Sequence, residues 1–194
     1  MKTKPELLLS IPQNIFTVDD LAVLWRISDR SRLWELIKYY VRTGRLHTIQ
    51  RGVYAKTDHY SPFEAAIKLF PPAYISFTTA LAYHGAAFQY SSEVHCMAKA
   101  SKRLETANGQ VFIYHQLKNN ILLNQQGIQK TDGYWIASLE RAICDTSYLV
   151  PSFPFEHLDN VDEGKLEEIL SIYDNKALKK RIGRMISDYQ EIVD

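Results

Sequence analysis

The sequence predicts an α+β fold, and three observations carry that expectation. Between residues 17 and 55, two stretches with helical periodicity precede two short β-rich runs around a glycine turn. From about 60 to 155, strand-like runs alternate with capped helical segments. From residue 162 onward, two more apolar stripes recur at helical spacing. The chain has 194 residues, enough for one large domain or two small ones, and a division near residue 60 is expected. The expected units are 1–60 and 61–194, the second ending in helices over 162–192.

Phe16-Thr17-Val18-Asp19-Asp20-Leu21 reads as a helix start. Thr17 and Asp20 have the spacing of a capping box, and Phe16 and Leu21 that of a hydrophobic staple. Leu21, Leu24 and Trp25 make one apolar stripe. Arg26-Ile27-Ser28-Asp29 is a short turn, and Ser28 or Asp29 caps the next helix. There Leu33, Leu36, Ile37, Tyr40 and Val41 fall on one face, and Gly44 ends the helix. The opposite face carries Arg30, Ser31, Arg32, Trp34, Glu35, Lys38 and Arg42. Leu46–Ile49 and Val53–Ala55 flank Gln50-Arg51-Gly52 as a hairpin with a basic tip. Helix, turn, helix and basic hairpin is the order of a winged helix-turn-helix.

Charge sharpens this expectation. From Arg26 to Lys56 there are eight basic residues against two acidic ones, a balance of +6. Residues 57–194 hold 13 basic and 17 acidic side chains, a balance of −4, although the whole chain is only +1. A basic module on an acidic body points to a polyanion surface joined to a surface with another task. At 46% hydrophobic and 23% charged, the chain has the composition of a globular protein with a real core. It has no apolar run of 18 residues and no signal-peptide pattern, so no membrane span is expected. Cys96 and Cys144 stand alone in apolar surroundings and read as small buried hydrophobes. A cytoplasmic location is therefore expected.

In the second unit, Ser61-Pro62-Phe63-Glu64 starts a helix that Pro71-Pro72 stops. Another helix begins near Ser76 and closes at Gly85. Val94–Ala98 and Gln110–Tyr114 read as strands, and Gly127–Ile136 supplies one or two more. Ser138 caps a helix with Leu139, Ala142, Ile143, Thr146 and Leu149 on one side. Residues 151–164 read as a loop. Helices follow near Asp162–Tyr173 and Asn175–Ile192, the latter with a basic face of Lys176, Lys179, Lys180, Arg181 and Arg184.

The chemistry-bearing patterns are sparse. There is no Gly-rich phosphate loop, no Cys-x-x-Cys and no His-Glu-x-x-His. His84 with Glu140 or Asp145 would be a dyad only if the fold brought them together. Asp132, Glu140, Asp145 and the acids of 156–168 would make a metal site on the same condition. Asp162-Glu163-Gly164-Lys165 resembles part of a nuclease motif but falls at a loop-to-helix junction. Arg141 and Asp145 have the spacing of an intrahelical ion pair. No enzyme activity, cofactor or metal is expected.

Three stretches resemble one family. They are Tyr40–Leu46 with Gln50–Tyr54, Tyr74–Gly85, and Ile136–Asp145. Together they are similar to the antitoxin and regulator component of AbiE-type abortive-infection (type IV) toxin–antitoxin systems, over roughly residues 15–150. The resemblance implies an N-terminal domain that binds inverted repeats in its own promoter and represses the operon. It implies a C-terminal domain that opposes a nucleotidyltransferase-like toxin without a tight complex. It gives Ser76 the role of a helix cap and His84 that of a buried hydrogen-bonding group. This chain's second domain is more compact than that of the longer members, which leaves a stand-alone regulator as an alternative. A winged helix that contacts protein and a nucleic-acid-processing enzyme are the others.

On the DNA-binding reading, Arg30 and Arg32 contact bases, with Ser31, Trp34, Lys38 and Arg42 beside them, and Gln50 and Arg51 at the wing. Arg51 meets the phosphate backbone, where charge adds affinity without sequence information.

Overall fold

The computed structural model describes residues 3–87, 91–131 and 133–193, with side chains through Tyr189. It is mixed α and β. The N-terminal elements are α1 (Lys4–Leu9), β1 (Ile15–Thr17), α2 (Val18–Trp25), α3 (Arg30–Arg42), β2 (His47–Gln50) and β3 (Val53–Ala55). Neither α1 nor β1 was expected. The first helix is only six residues long, too short to show periodicity, and its Glu6 carboxylate takes the Thr3 backbone N–H at 2.7 Å.

The local signals for α2 and α3 are realised in hydrogen bonds. Thr17 Oγ1 accepts from the Asp20 N–H at 3.1 Å, and Asp20 Oδ2 accepts from the Thr17 N–H at 2.9 Å. Between the two proposed caps for α3 the structure selects Asp29, whose carboxylate accepts from the N–H groups of Ser31 and Arg32. Gly44, at φ +69°, lets the chain turn away after α3, a conformation that favours glycine.

β1, β3 and β2 form an antiparallel sheet in that order. Successive side chains of a strand point to opposite faces, and this sheet uses both. Phe16 and Tyr54 face a small core with Leu8, Leu21, Trp25, Leu33, Ile37, Tyr40 and Leu46. Ile15, Ile49, Val53 and Ala55 face the other way and join the large core of the second unit.

That second unit contains α4 (Pro62–Leu69), β4 (Ala73–Ile75), α5 (Phe77–Tyr83), β5 (Val94–Ala98), β6 (Lys102–Glu105), β7 (Val111–Gln116), α6 (Asn119–Leu122), β8 (Ile128–Lys130), β9 (Trp135–Ala137) and α7 (Leu139–Leu149). After α7 come α8 (Glu163–Leu170), a 3₁₀ turn (Ser171–Tyr173) and α9 (Lys176–Val193). Six strands make one sheet in the order β6-β7-β5-β4-β9-β8. The pairs β5–β7 and β4–β9 are parallel and the remaining pairs antiparallel.

Helix α7 departs from the amphipathic expectation, because Leu139 through Ser147 are all buried. It packs against α5, α8, α9 and β9, so no side of its first two turns meets water. Ser138 caps it as expected, accepting from the Arg141 N–H at 3.3 Å. Ser76 does not cap α5 with its side chain. Its hydroxyl instead donates to Asp145 Oδ2 at 2.7 Å, so a buried carboxylate outcompetes the helix end for it. Phe77, the first residue of α5, has φ +55°, a region costly for an L side chain. Its ring lies against the His95 and His115 imidazoles, with centroids 5.5 and 4.5 Å away.

Two side chains of α4 tie the units together. Glu64, 6% exposed, accepts from the N–H groups of Asn14 and Ile15 at 3.1 and 3.0 Å. Lys68 Nζ meets Asp20 Oδ2 at 2.9 Å. Burial works to raise the Asp20 pKa, but the Thr17 N–H and Lys68 outweigh it and hold the carboxyl below its ordinary value.

Candidate nucleic-acid interface

Helix α3 turns about 100° per residue, which sorts its polar side chains. Leu33, Ile37 and Tyr40 are buried, so the outward line runs through Ser31, Lys38 and Arg42, all exposed. Glu35 lies beside that line. Arg30 and Arg32, two positions apart, fall on opposite flanks of it. Both are exposed, but only Arg30 has an ionic partner among the described residues, Asp19 on α2 at 2.6 Å. That pair is 60% and 77% exposed, so it is worth no more than about 1 kcal/mol, and a phosphate oxygen can compete for the guanidinium.

Trp34 is half-buried against the small N-terminal core, so its ring is a wall of that core as much as a contact surface. Arg51 is exposed in the turn between β2 and β3, where Gly52 takes φ +88°. Gln50 is half-buried, and its Oε1 is buried without a hydrogen-bond donor among the described residues. Sequence reasoning passed over Tyr39. It is 43% exposed, and the Arg42 guanidinium lies 5.8 Å from its ring centroid. Their i, i+3 spacing was the available signal.

The other sequence candidates take structural roles or disperse. Arg141 and Asp145 do pair, Nε to Oδ1 at 3.4 Å, with both side chains at zero exposure. The pair sits in a buried network. Asp145 accepts from the hydroxyls of Tyr74 at 2.9 Å, Ser76 at 2.7 Å and Tyr173 at 2.5 Å. The Arg141 guanidinium donates to the Tyr74 hydroxyl and to the carbonyls of Ile121 and Gln126. Burial pushes the Asp145 carboxyl above its ordinary range, against the pull of Arg141 and the three hydroxyls. Burial likewise raises the phenols of Tyr74 and Tyr173 and the thiols of Cys96 and Cys144.

His84 Nε2 lies 2.8 Å from the Ala137 carbonyl and is partly buried, so it hydrogen-bonds neither Glu140 nor Asp145. Asp132 lies outside the described residues. Asp162 caps α8 through the Lys165 N–H and pairs with Lys165 Nζ at 3.1 Å. Among the described residues no group of three or more His, Cys, Asp or Glu could hold a metal ion. On α9, Lys176, Lys179, Lys180 and Arg184 are exposed, while Arg181 departs from the solvated face by donating to the Ser147 carbonyl at 2.7 Å. Among the described residues no helix is long and apolar enough to cross a membrane.

The outer face of α3 with the adjoining turn thus gathers the exposed cationic groups Arg30, Arg32, Lys38, Arg42 and Arg51. No protein-family model matches the chain, and no curated protein matches it.

Proposed function

We propose that residues 15–56 are a winged helix that binds duplex DNA, and that the chain is a transcriptional autorepressor and the antitoxin of a type IV toxin–antitoxin pair. One observation carries the DNA-binding half. Ser31, Lys38 and Arg42 form an exposed line on a helix held rigidly by a buried opposite face, with Arg32 beside them and Arg51 at the hairpin turn. A helix of this kind presents its N-terminal residues to base edges, and a basic hairpin meets phosphates. The antitoxin half is supported by the resemblance of Tyr74–Gly85 and Ile136–Asp145 to that family. Its partners would be an operator with inverted repeats and a nucleotidyltransferase-like toxin.

A protein-contacting winged helix is the second reading. Such a contact would use exposed apolar side chains such as Leu9 and Val23, at 79% and 78% exposure.

Fluorescence anisotropy with the DNA upstream of the gene, against a scrambled duplex at two salt concentrations, separates these readings. Preferential and salt-sensitive binding supports the repressor. Equal affinity for both duplexes removes the sequence-specific part, and binding to neither at low salt supports the protein contact. Within the repressor reading, Arg32→Ala should lose about 1–3 kcal/mol of discrimination against mismatched operator. Arg51→Ala should weaken all duplexes alike and lower the salt slope by about one. Identical behaviour of the two variants would overturn the assignment of helix and wing. Co-expression with an adjacent nucleotidyltransferase-like gene, scored for growth, tests the antitoxin half.

A further inference from the structure

A cavity of about 530 Å³ opens between the β8 edge, the start of α7 and α8. Part of its wall comes from the two stretches that carry the family resemblance beyond residue 60. One contributes His84 and the other Ser138, Leu139 and Glu140. The basic α3 surface contributes nothing to this cavity, and the buried Arg141 network meets it only through Gln126.

Its electrostatics are unusual. Glu140 is 6% exposed, yet forms no ion pair among the described residues. Its oxygens take the Ser138 hydroxyl at 2.8 Å and the Asp162 N–H at 3.3 Å, and Lys165, which acts on it through space, is shared with Asp162 and Glu168. Buried charges are ordinarily paired, because removing an ion from water is costly without a counter-charge. Glu168 adds a second carboxylate to the lining. The cavity's one lysine, Lys165, is already engaged with Asp162 at 3.1 Å.

Other polar side chains complete the lining. The Ala137 carbonyl fixes His84 Nε2 as a donor, so in the neutral ring Nδ1 is an acceptor. Gln129 and Asn160 supply amides, while Ile128, Leu139 and Ile169 form apolar wall. An anion would meet Glu140 and Glu168 across a single lysine that Asp162 already holds. A metal ion would find fewer than three side-chain ligands among the described residues.

We propose that this cavity binds a small organic cation, a guanidinium or alkylammonium head on an apolar stem, with Glu140 as its counter-charge. The proposal is independent of the DNA-binding reading. The full-length protein is titrated calorimetrically with agmatine and with putrescine. Saturable one-site binding is expected. Glu140→Gln keeps one oxygen for the Asp162 N–H while its amide N–H turns to the Ser138 hydroxyl oxygen, and should weaken binding about tenfold or more. Glu168→Gln, a more exposed change that spares the fold if Glu140→Gln does not, should weaken it by a smaller factor. Lys165→Met should not weaken it. Absence of saturable binding at millimolar probe overturns the proposal, as does affinity unchanged by both glutamate substitutions.

Discussion

Replacing Asp145 by alanine should cost about 3–5 kcal/mol of stability, because Arg141 then holds an uncompensated charge at zero exposure. For a protein of this size that corresponds to a fall in Tm of roughly 6–20 °C. The loss reaches three hydroxyls at once, since Tyr74, Ser76 and Tyr173 all donate to that carboxylate. Asp145→Asn keeps an oxygen acceptor but removes the charge opposite the guanidinium, and should fall between wild type and alanine. The double variant Arg141→Leu/Asp145→Leu should recover part of the loss, because removing both charges also removes their desolvation cost. Thermal and urea unfolding measure all three. A loss below about 1 kcal/mol for Asp145→Ala would mean that the surrounding apolar packing, not the ion pair, holds β4, α7 and the 3₁₀ turn together.

Replacing Glu64 by alanine should have the next largest effect. It strips the only side-chain acceptor recorded for the N–H groups of Asn14 and Ile15 among the described residues. Each buried donor left unpaired costs about 1–3 kcal/mol. Glu64→Gln keeps an oxygen for those donors and should lose much less. The substitution acts at the junction between α4 and β1, so amide hydrogen exchange should speed up at Asn14 and Ile15 more than in β5 or β7. Uniform acceleration across both sheets would show instead that Glu64 supports global stability rather than the junction.

Much of the local structure was legible because it depends on near neighbours. Thr17 with Asp20, Asp29, Ser61 and Ser138 are caps whose partners lie two or three residues away. Positions Leu33, Ile37 and Tyr40 were readable from their spacing alone. What escaped depends on distant partners. β4 is three residues long and is stabilised as a strand by β5 on one side and β9 on the other. The exposed β6, Lys102–Glu105, alternates too weakly to read as a strand. The redirection of Ser76 required knowing that Asp145 would arrive beside it, 69 residues later in the chain.

The same division applies to the candidate sites. The basic outer face of α3 could be read from helical spacing, but the Arg30–Asp19 pair spans 11 residues and joins two elements. His84 and Glu140 could be suspected of meeting. The cavity they share rests on α8 folding back across the start of α7, which no local pattern announces.

The two-faced sheet of β1, β3 and β2 has a practical consequence. A fragment cut after residue 60 would take the whole sheet with it and leave Ile15, Ile49, Val53 and Ala55 facing water. Bare apolar strand faces stick to one another, so such a fragment would clump and obscure a DNA-binding measurement. Extending the fragment through α4 would keep Glu64 and Lys68 on the sheet and restore part of its cover. The proposed operator recognition is therefore best tested by point substitution in the intact chain.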